Sequence, residues 1–127
     1  MSEIFRFRYF AMAMAMFVIV RPVEAADARR GEEIFRKCVT CHTVEAGGRN
    51  RVGPRLAGLF GRTAGSVGDF RYTDALRQSG IVWNEATLDA YLRDSEAFVP
   101  GTKMYGGLTL DADRMDLIAY LRAATAP

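Results

Sequence analysis

The sequence contains two cysteines and one histidine, and all three stand within five consecutive residues, Cys38-Val39-Thr40-Cys41-His42. Two thiols at this spacing can each add to one vinyl group of a haem, and the adjacent imidazole can then bind the iron. A structural zinc site needs four ligands, so carboxylates would have to complete one here. A thioredoxin-like dithiol follows a strand, whereas a helical pattern precedes this motif, and a plain disulfide would leave His42 without a role. The motif therefore predicts one haem c, attached through Cys38 and Cys41, with His42 as an axial ligand.

The N-terminal segment has the features of a secretory signal peptide. Two arginines precede an apolar run over 9–20, and the small residue Ala25 offers a cleavage point. A run of about twelve residues is short of the roughly 20 that a membrane-spanning helix needs, so an uncleaved anchor is the less favoured alternative. We expect 1–25 to be a cleaved signal peptide, with cleavage after Ala26 as the next candidate. The mature domain would then be 26–127, exported to the periplasm.

The rest of the chain combines helical patterns with two loops rich in glycine and proline. A length of 127 residues fits one small domain, and a net charge of +2 is too weak to argue for nucleic-acid binding. No stretch alternates convincingly, so the predicted fold is all-α. So much loop would leave a thin core, which a large buried cofactor would fill. The predicted helices cover 28–41 and 73–79, with two more beginning at the N-caps Asn84 and Asp111; the loops cover 47–68 and 98–109.

Five further segments carry a resemblance to a known family. Residues 30–124 resemble a class I cytochrome c of the mitochondrial and purple-bacterial type, in both the order and the spacing of their motifs. The resemblance implies the small cytochrome c fold, with helices and glycine-rich loops wrapped around one haem. It also implies a soluble electron carrier and not an enzyme. The matching segments are GPRL at 53–56, GLFGR at 58–62, YTDA at 72–75, PGTKM at 100–104 and DLIAYL at 116–121.

Two methionines follow the predicted signal peptide, Met104 and Met115. Met115 lies on the last predicted helix, where full or partial burial is the ordinary role. Met104 lies in a loop of proline and glycine, where a purely packing role is harder to justify, although its side chain could be tucked into the core. The resemblance implies that its sulfur binds the iron opposite His42. A thioether ligand raises the reduction potential, and two filled axial positions favour electron transfer over catalysis. Displacement of Met104 would give the alternative, a haem enzyme with peroxidase-like activity.

The resemblance assigns further residues to the haem surroundings. The carbonyl of Pro54 would accept the ring N–H of His42, which fixes the ring and strengthens it as a donor; the alternative is that Pro54 only makes a turn. Buried propionates need donors or a cation. Tyr91 would pack near the methionine sulfur or simply in the core. The implied propionate partners are Arg62, Tyr72, Trp83 and Thr102, of which Arg62 could instead be a solvated arginine and Trp83 a core residue.

The same resemblance implies a structural contact where the first and last helices cross. A glycine in this contact would allow the two helices to approach closely. The four residues of the implied crossing are Gly31, Phe35, Leu117 and Tyr120.

Three departures from the family pattern bear on the partner and the reduction potential. Leu76 stands where asparagine is usual, and the segment over 105–108 is one residue short and lacks the usual phenylalanine. After residue 25 the chain has two lysines, where the mitochondrial type is rich in lysine. Its charge is divided, with a net +4 over 26–77 and −3 over 78–127.

The implied partners are membrane complexes of respiratory or photosynthetic chains. The electron donor would be a quinol–cytochrome c oxidoreductase, and the acceptor a cytochrome oxidase or a photosynthetic reaction centre. We expect a monomer that docks transiently at the membrane surface and binds no nucleic acid. Charge steering of this docking would be weak, because the basic patch near the haem edge contains few lysines.

Overall fold

The computed structural model describes residues 18–19 and 25–127, so nearly all of the predicted signal peptide lies outside the described residues. Within the described part, the single strand-like pairing is an isolated antiparallel bridge between Thr63 and Val82. The predicted all-α fold is confirmed. No helix among these residues has the length and apolar character needed to cross a membrane. The helices are α1 (Ala28–Phe35), α2 (Asp74–Arg77), α3 (Glu85–Arg93), α4 (Ser95–Phe98) and α5 (Asp111–Ala124).

Side-chain caps define the start of α3 but not of α5. Asn84 accepts the Thr87 amide and Thr87 accepts the Asn84 amide, each at 2.9 Å, so the predicted N-cap is confirmed as a reciprocal capping box. The prediction that Asp111 caps the last helix is wrong. Leu110 occupies the N-cap without a side-chain hydrogen bond, and Asp111 is the first helical residue. Its carboxylate instead pairs with Arg114, three residues further along the helix.

The first helix is shorter than its sequence pattern predicts. It ends at Phe35 instead of continuing to Cys41, and the intervening residues form successive turns. The amides of Cys41 and His42 both donate to the carbonyl oxygen of Cys38, at 3.0 and 2.9 Å. These turns place the whole attachment motif directly after α1.

The helices α1 and α5 cross in close contact, which confirms the implied crossing. A Cβ atom built on Gly31 would lie 1.9 Å from the carbonyl oxygen of Asp116. The rings of Phe35 on α1 and Tyr120 on α5 have their centroids 5.4 Å apart. Leu117, also on α5, is buried in the core. A side chain at position 31 would therefore force the helices apart.

A carboxylate of α5 also fixes the start of α1. Asp116 accepts the Asp27 amide at 2.7 Å and the Arg30 guanidinium at 2.6 Å. The Asp27 amide, followed by Arg30, holds the pKa of this carboxyl below its ordinary value of 3.8. Because the folded-state pKa is depressed, the contact stabilises the fold above that value and is lost as the pH falls through the lower folded-state pKa.

The apolar core lies between these helices and the loops. Members of the attachment turn and of the loop over 99–110 are packed against it, including Cys38 and Met104. The core is thus continuous with both places that the sequence predicts to hold the cofactor. Its buried members are Phe35, Leu59, Ala64, Trp83, Leu88, Tyr91, Val99, Leu117, Ile118 and Leu121.

Replacement of Gly31 by alanine tests the helix crossing. The methyl group has no space beside Asp116, so we expect a loss of about 1–3 kcal/mol in the free energy of unfolding. This loss would occur although alanine is favoured over glycine inside a helix by about 1 kcal/mol. The measurement is denaturant unfolding of the haem-loaded protein. Gly68→Ala is the control, because a Cβ there meets no atom within 4 Å; equal stability of the two variants would contradict the prediction.

Candidate haem site

The attachment turn presents two thiols and an imidazole close together. Cys38 and Cys41 are free and partly buried, and the amide of Cys38 donates to the carbonyl of Phe35 at 2.7 Å. Burial raises the pKa of the Cys38 thiol. The turn thus holds two thiols directly beside an imidazole, which is the grouping that covalent haem attachment needs.

One ring nitrogen of His42 is already engaged. Its Nδ1 atom lies 2.7 Å from the carbonyl oxygen of Pro54, so the ring N–H donates to this carbonyl. Burial lowers the pKa of His42, although the Pro54 carbonyl opposes the shift. The ring is thus kept neutral, which is the form that binds a metal, and Nε2 is left for that purpose.

The backbone of Gly53 forms a surface for this ring. A Cβ built on Gly53 would lie 2.3 Å from Cε1 of His42 and 2.8 Å from each ring nitrogen. The Gly53 amide donates to the carbonyl of Cys41 at 2.9 Å, which joins this loop to the attachment turn. From the sequence, Gly53 was expected only as part of a segment that matches the family, with no role of its own. Its position just before Pro54 places it in the turn, but no sequence signal shows that the His42 ring lies against it.

Asn50 supports the same peptide from its other side, a role that was not predicted from the sequence. Its side-chain oxygen accepts the Arg55 amide at 2.8 Å, and its amide nitrogen donates to the Asp69 carbonyl at 3.3 Å. Arg55 also pairs with the Asp69 carboxylate at 2.6 Å. The Pro54–Arg55 peptide is therefore held at both its carbonyl and its amide. An oriented neutral imidazole beside two thiols fits the requirements of haem c attachment.

Met104 lies in a loop that a buried hydroxyl pair supports. Its amide donates to the Thr102 hydroxyl at 3.4 Å, and that hydroxyl lies 2.7 Å from the Tyr91 hydroxyl. The Met104 side chain is half-buried and packs against the core. Met115 lies on α5 as expected and is 45% exposed, so it is at most partly buried. Of the two methionines, Met104 is the one placed with the core and the loop hydroxyls.

Three of the four implied propionate partners, Arg62, Trp83 and Thr102, are linked through Tyr91, whereas Tyr72 contacts a different segment. The Trp83 amide donates to the Arg62 carbonyl at 2.9 Å, and the Trp83 and Tyr91 ring centroids are 5.1 Å apart. Tyr91 in turn contacts Thr102. The Tyr72 hydroxyl accepts the Val67 amide at 3.2 Å. That these residues bind propionates remains a prediction.

Arg62 is half-buried and is not a freely solvated surface residue. Its guanidinium donates to the carbonyls of Ala57 and Arg55, at 3.2 and 3.0 Å. Burial lowers the pKa of Arg62. A cation held in this way is a suitable partner for a buried carboxylate, because the two carbonyls already orient the guanidinium and offset part of its desolvation.

Comparison with known proteins gives a consistent result. A family model described as Cytochrome c matches residues 28–125. A cytochrome c of Cochliobolus lunatus is 49% identical over 104 residues, which are 80% of this chain and 96% of the relative. A cytochrome c of Arabidopsis thaliana is 48% identical over 101 residues, 78% of this chain and 90% of the relative. A cytochrome c2 of Blastochloris viridis is 42% identical over 119 residues, 91% of this chain and 94% of the relative.

Substitution of Gly53 by alanine tests the imidazole cradle. The methyl group would overlap the ring of His42, so we expect the ring to tilt away and to lose its hydrogen bond to Pro54. Haem should remain attached through the two thiols, but the ferric absorption spectrum should gain high-spin character. Gly68→Ala is again the control. A Gly53→Ala protein with an unchanged low-spin spectrum would show that the cradle does not orient the ligand.

Proposed function

The chain belongs to the cytochrome c family, and we propose that it carries single electrons on one haem iron held between His42 and Met104. As a family member it binds covalently attached haem c, for which Cys38 and Cys41 supply the thiols of the motif. It is an electron-transfer protein and not an enzyme. The observation that carries the proposal is the contact between His42 and the Pro54 carbonyl, which leaves the other ring nitrogen for the iron.

The haem supplies the reversible change of one electron between ferric and ferrous iron, and the chain controls how strongly each state is held. The Pro54 carbonyl makes His42 a better donor by accepting its ring N–H. Met104 contributes a soft thioether, which favours the ferrous state. Arg62 would counter the charge of a propionate. The comparisons give no support to the peroxidase-like alternative.

The proposed route of electrons runs from a quinol–cytochrome c oxidoreductase to a cytochrome oxidase or a photosynthetic reaction centre. We place this exchange in the periplasm. In support, the alignment with the Blastochloris cytochrome c2 covers 91% of the chain. Residues 26–127 make up only about four fifths of the chain, which is less than the aligned share. The alignment therefore extends into the segment that we propose to be a signal peptide.

The proposed docking surface consists of the turns over 36–42 that carry the attachment motif, the loop that contains Arg51 and Val52, and the loop over 99–110. Basic side chains are present there, and Lys37, Arg51 and Lys103 are all exposed. Each lies close in sequence to an exposed apolar residue. These residues are Val39 at 43%, Val52 at 77% and Tyr105 at 79% exposure. A surface of this composition favours docking through apolar contact with a modest contribution from charge.

Replacement of Met104 by alanine tests the proposed axial ligand. We expect haem to stay attached while the sixth position opens, the reduction potential falls and exogenous ligands bind, because the soft thioether is lost. Spectroelectrochemical titration measures the potential, and cyanide titration the open site. Met115→Ala should leave both unchanged, since Met115 is exposed on α5. An unchanged low-spin spectrum and potential in the Met104 variant would mean that another group binds the iron.

Electron transfer should depend weakly on salt compared with that of lysine-rich relatives. Attraction between exposed charges is screened as the ionic strength approaches physiological values, whereas apolar contact is not. Stopped-flow rates with the quinol-oxidising complex across ionic strength provide the measurement. Tyr105→Ser should lower the rate more than Lys103→Gln at physiological salt. A steep fall of the wild-type rate with added salt would instead restore a docking surface governed by basic charge.

A further inference from the structure

The loop over 99–110, here called the methionine loop, contains two adjacent glycines shortly after Met104. Gly106 and Gly107 give the part of the loop after Met104 more conformational freedom than other residues would. Ordering the loop in its closed form therefore costs more conformational entropy. Two backbone contacts oppose that cost. The Ser95 amide donates to the Gly106 carbonyl at 3.3 Å, and the Leu108 amide donates to the Leu92 carbonyl at 2.8 Å.

A third contact comes from a side chain that is completely buried. Arg114 on α5 has 0% relative exposure. Its Nη1 atom donates to the carbonyl oxygen of Leu108 at 2.5 Å, and its Nε atom to the Asp89 carboxylate at 2.7 Å. Its Nη2 atom donates to Asp111. One guanidinium thus connects α3, the first turn of α5 and the end of the methionine loop.

We propose that Arg114 is a positioning residue that keeps the methionine loop closed and so holds Met104 in place to bind the iron. This inference rests on the proposed function, because it takes Met104 to be the axial ligand. Opening of the loop would remove the Leu108 carbonyl from a guanidinium that is fully covered in the closed structure. A buried charged group that loses a hydrogen-bond partner is costly, so the open state is disfavoured. The fixed fork of the guanidinium lets it serve three acceptors at once, which an ammonium group cannot do with the same geometry.

Arg122 offers a matched control on the same helix. It pairs with Glu85 of α3 at 2.5 Å and lies over the ring of Phe60 at 4.7 Å. Neither partner belongs to the methionine loop. Its side chain is 56% exposed, so loss of this ion pair should have only a small effect on stability. The comparison separates an effect on the loop from the general cost of removing an arginine between α3 and α5.

The experiment measures how easily an added ligand displaces Met104 from the ferric haem-loaded protein. Imidazole can bind only when the loop is open, so its apparent affinity is proportional to the open population. We expect Arg114→Lys to raise that affinity by about tenfold, the effect of weakening one charge-assisted hydrogen bond. Arg122→Lys should leave the affinity unchanged.

A second pair of variants covers the case in which Arg114→Lys does not fold. Asp111 and Asp113 are both acids of the first turn of α5, but Asp111 pairs with Arg114 whereas Asp113 pairs with Arg30. Asp111→Asn should raise the imidazole affinity, and Asp113→Asn should not. Denaturant unfolding of each variant shows whether a change in affinity exceeds the change in overall stability.

The possible results give distinct conclusions. A rise that is confined to Arg114→Lys and Asp111→Asn supports the proposal. If the affinity stays at the wild-type value in both, or rises equally in the two controls, Arg114 is a structural residue without a specific effect on the ligand. If the wild-type protein lacks the near-infrared absorption band of a bond between methionine and ferric iron, the ligand assignment fails, and this inference fails with it.

Discussion

The imidazole of His42 can hold one orientation, because Pro54 accepts a hydrogen bond from its edge and Gly53 lies against its face. The rest of the site depends on this placement. His42 directly follows Cys41, so a fixed ring also constrains where the two thiols stand beside it. Asn50 then holds the accepting peptide in position, through contacts that reach as far as Asp69. A short contiguous motif therefore sets the position of a much longer stretch of loop.

Local interactions were the part of the fold that the sequence could predict. Asn84 and Thr87 lie three residues apart, so their capping box can be recognised without knowledge of the tertiary structure. Asp111 has an equally good capping chemistry, but a buried arginine one turn along recruits its carboxylate instead. The four-residue helix α4, whose N-cap is Asp94, is too short to show a periodic pattern. The predicted end of α1 was wrong because the apolar pattern continues into turns that carry Cys38.

The site shows the same division between local and long-range information. Cys38, Cys41 and His42 are recognisable from their spacing, and Met104 from its place in a loop together with the family resemblance. Roles for Gly53 and Arg114 could not be predicted, because each depends on a neighbour that the fold supplies. A glycine is required at position 53 only because a ring lies against it, and the burial of Arg114 follows from the packing of α3 against α5. Pattern alone does not reveal which charged residue lacks access to water.

The two proposed ligands are consequently held in different ways. His42 is tied by covalent continuity with the cysteines and by a carbonyl twelve residues away. The methionine loop is tied by contacts with Leu92, Ser95 and Arg114, each of which belongs to another helix or its end. Loss of a few such contacts can release the loop without unfolding the helix crossing at Gly31. With these two ligands, the reduction potential would depend on tertiary packing on the methionine side and on local geometry on the histidine side. Because Gly106 and Gly107 give the open loop more conformations to lose on closing, its anchors would determine how constant the surroundings of the iron stay while the electron is gained and lost.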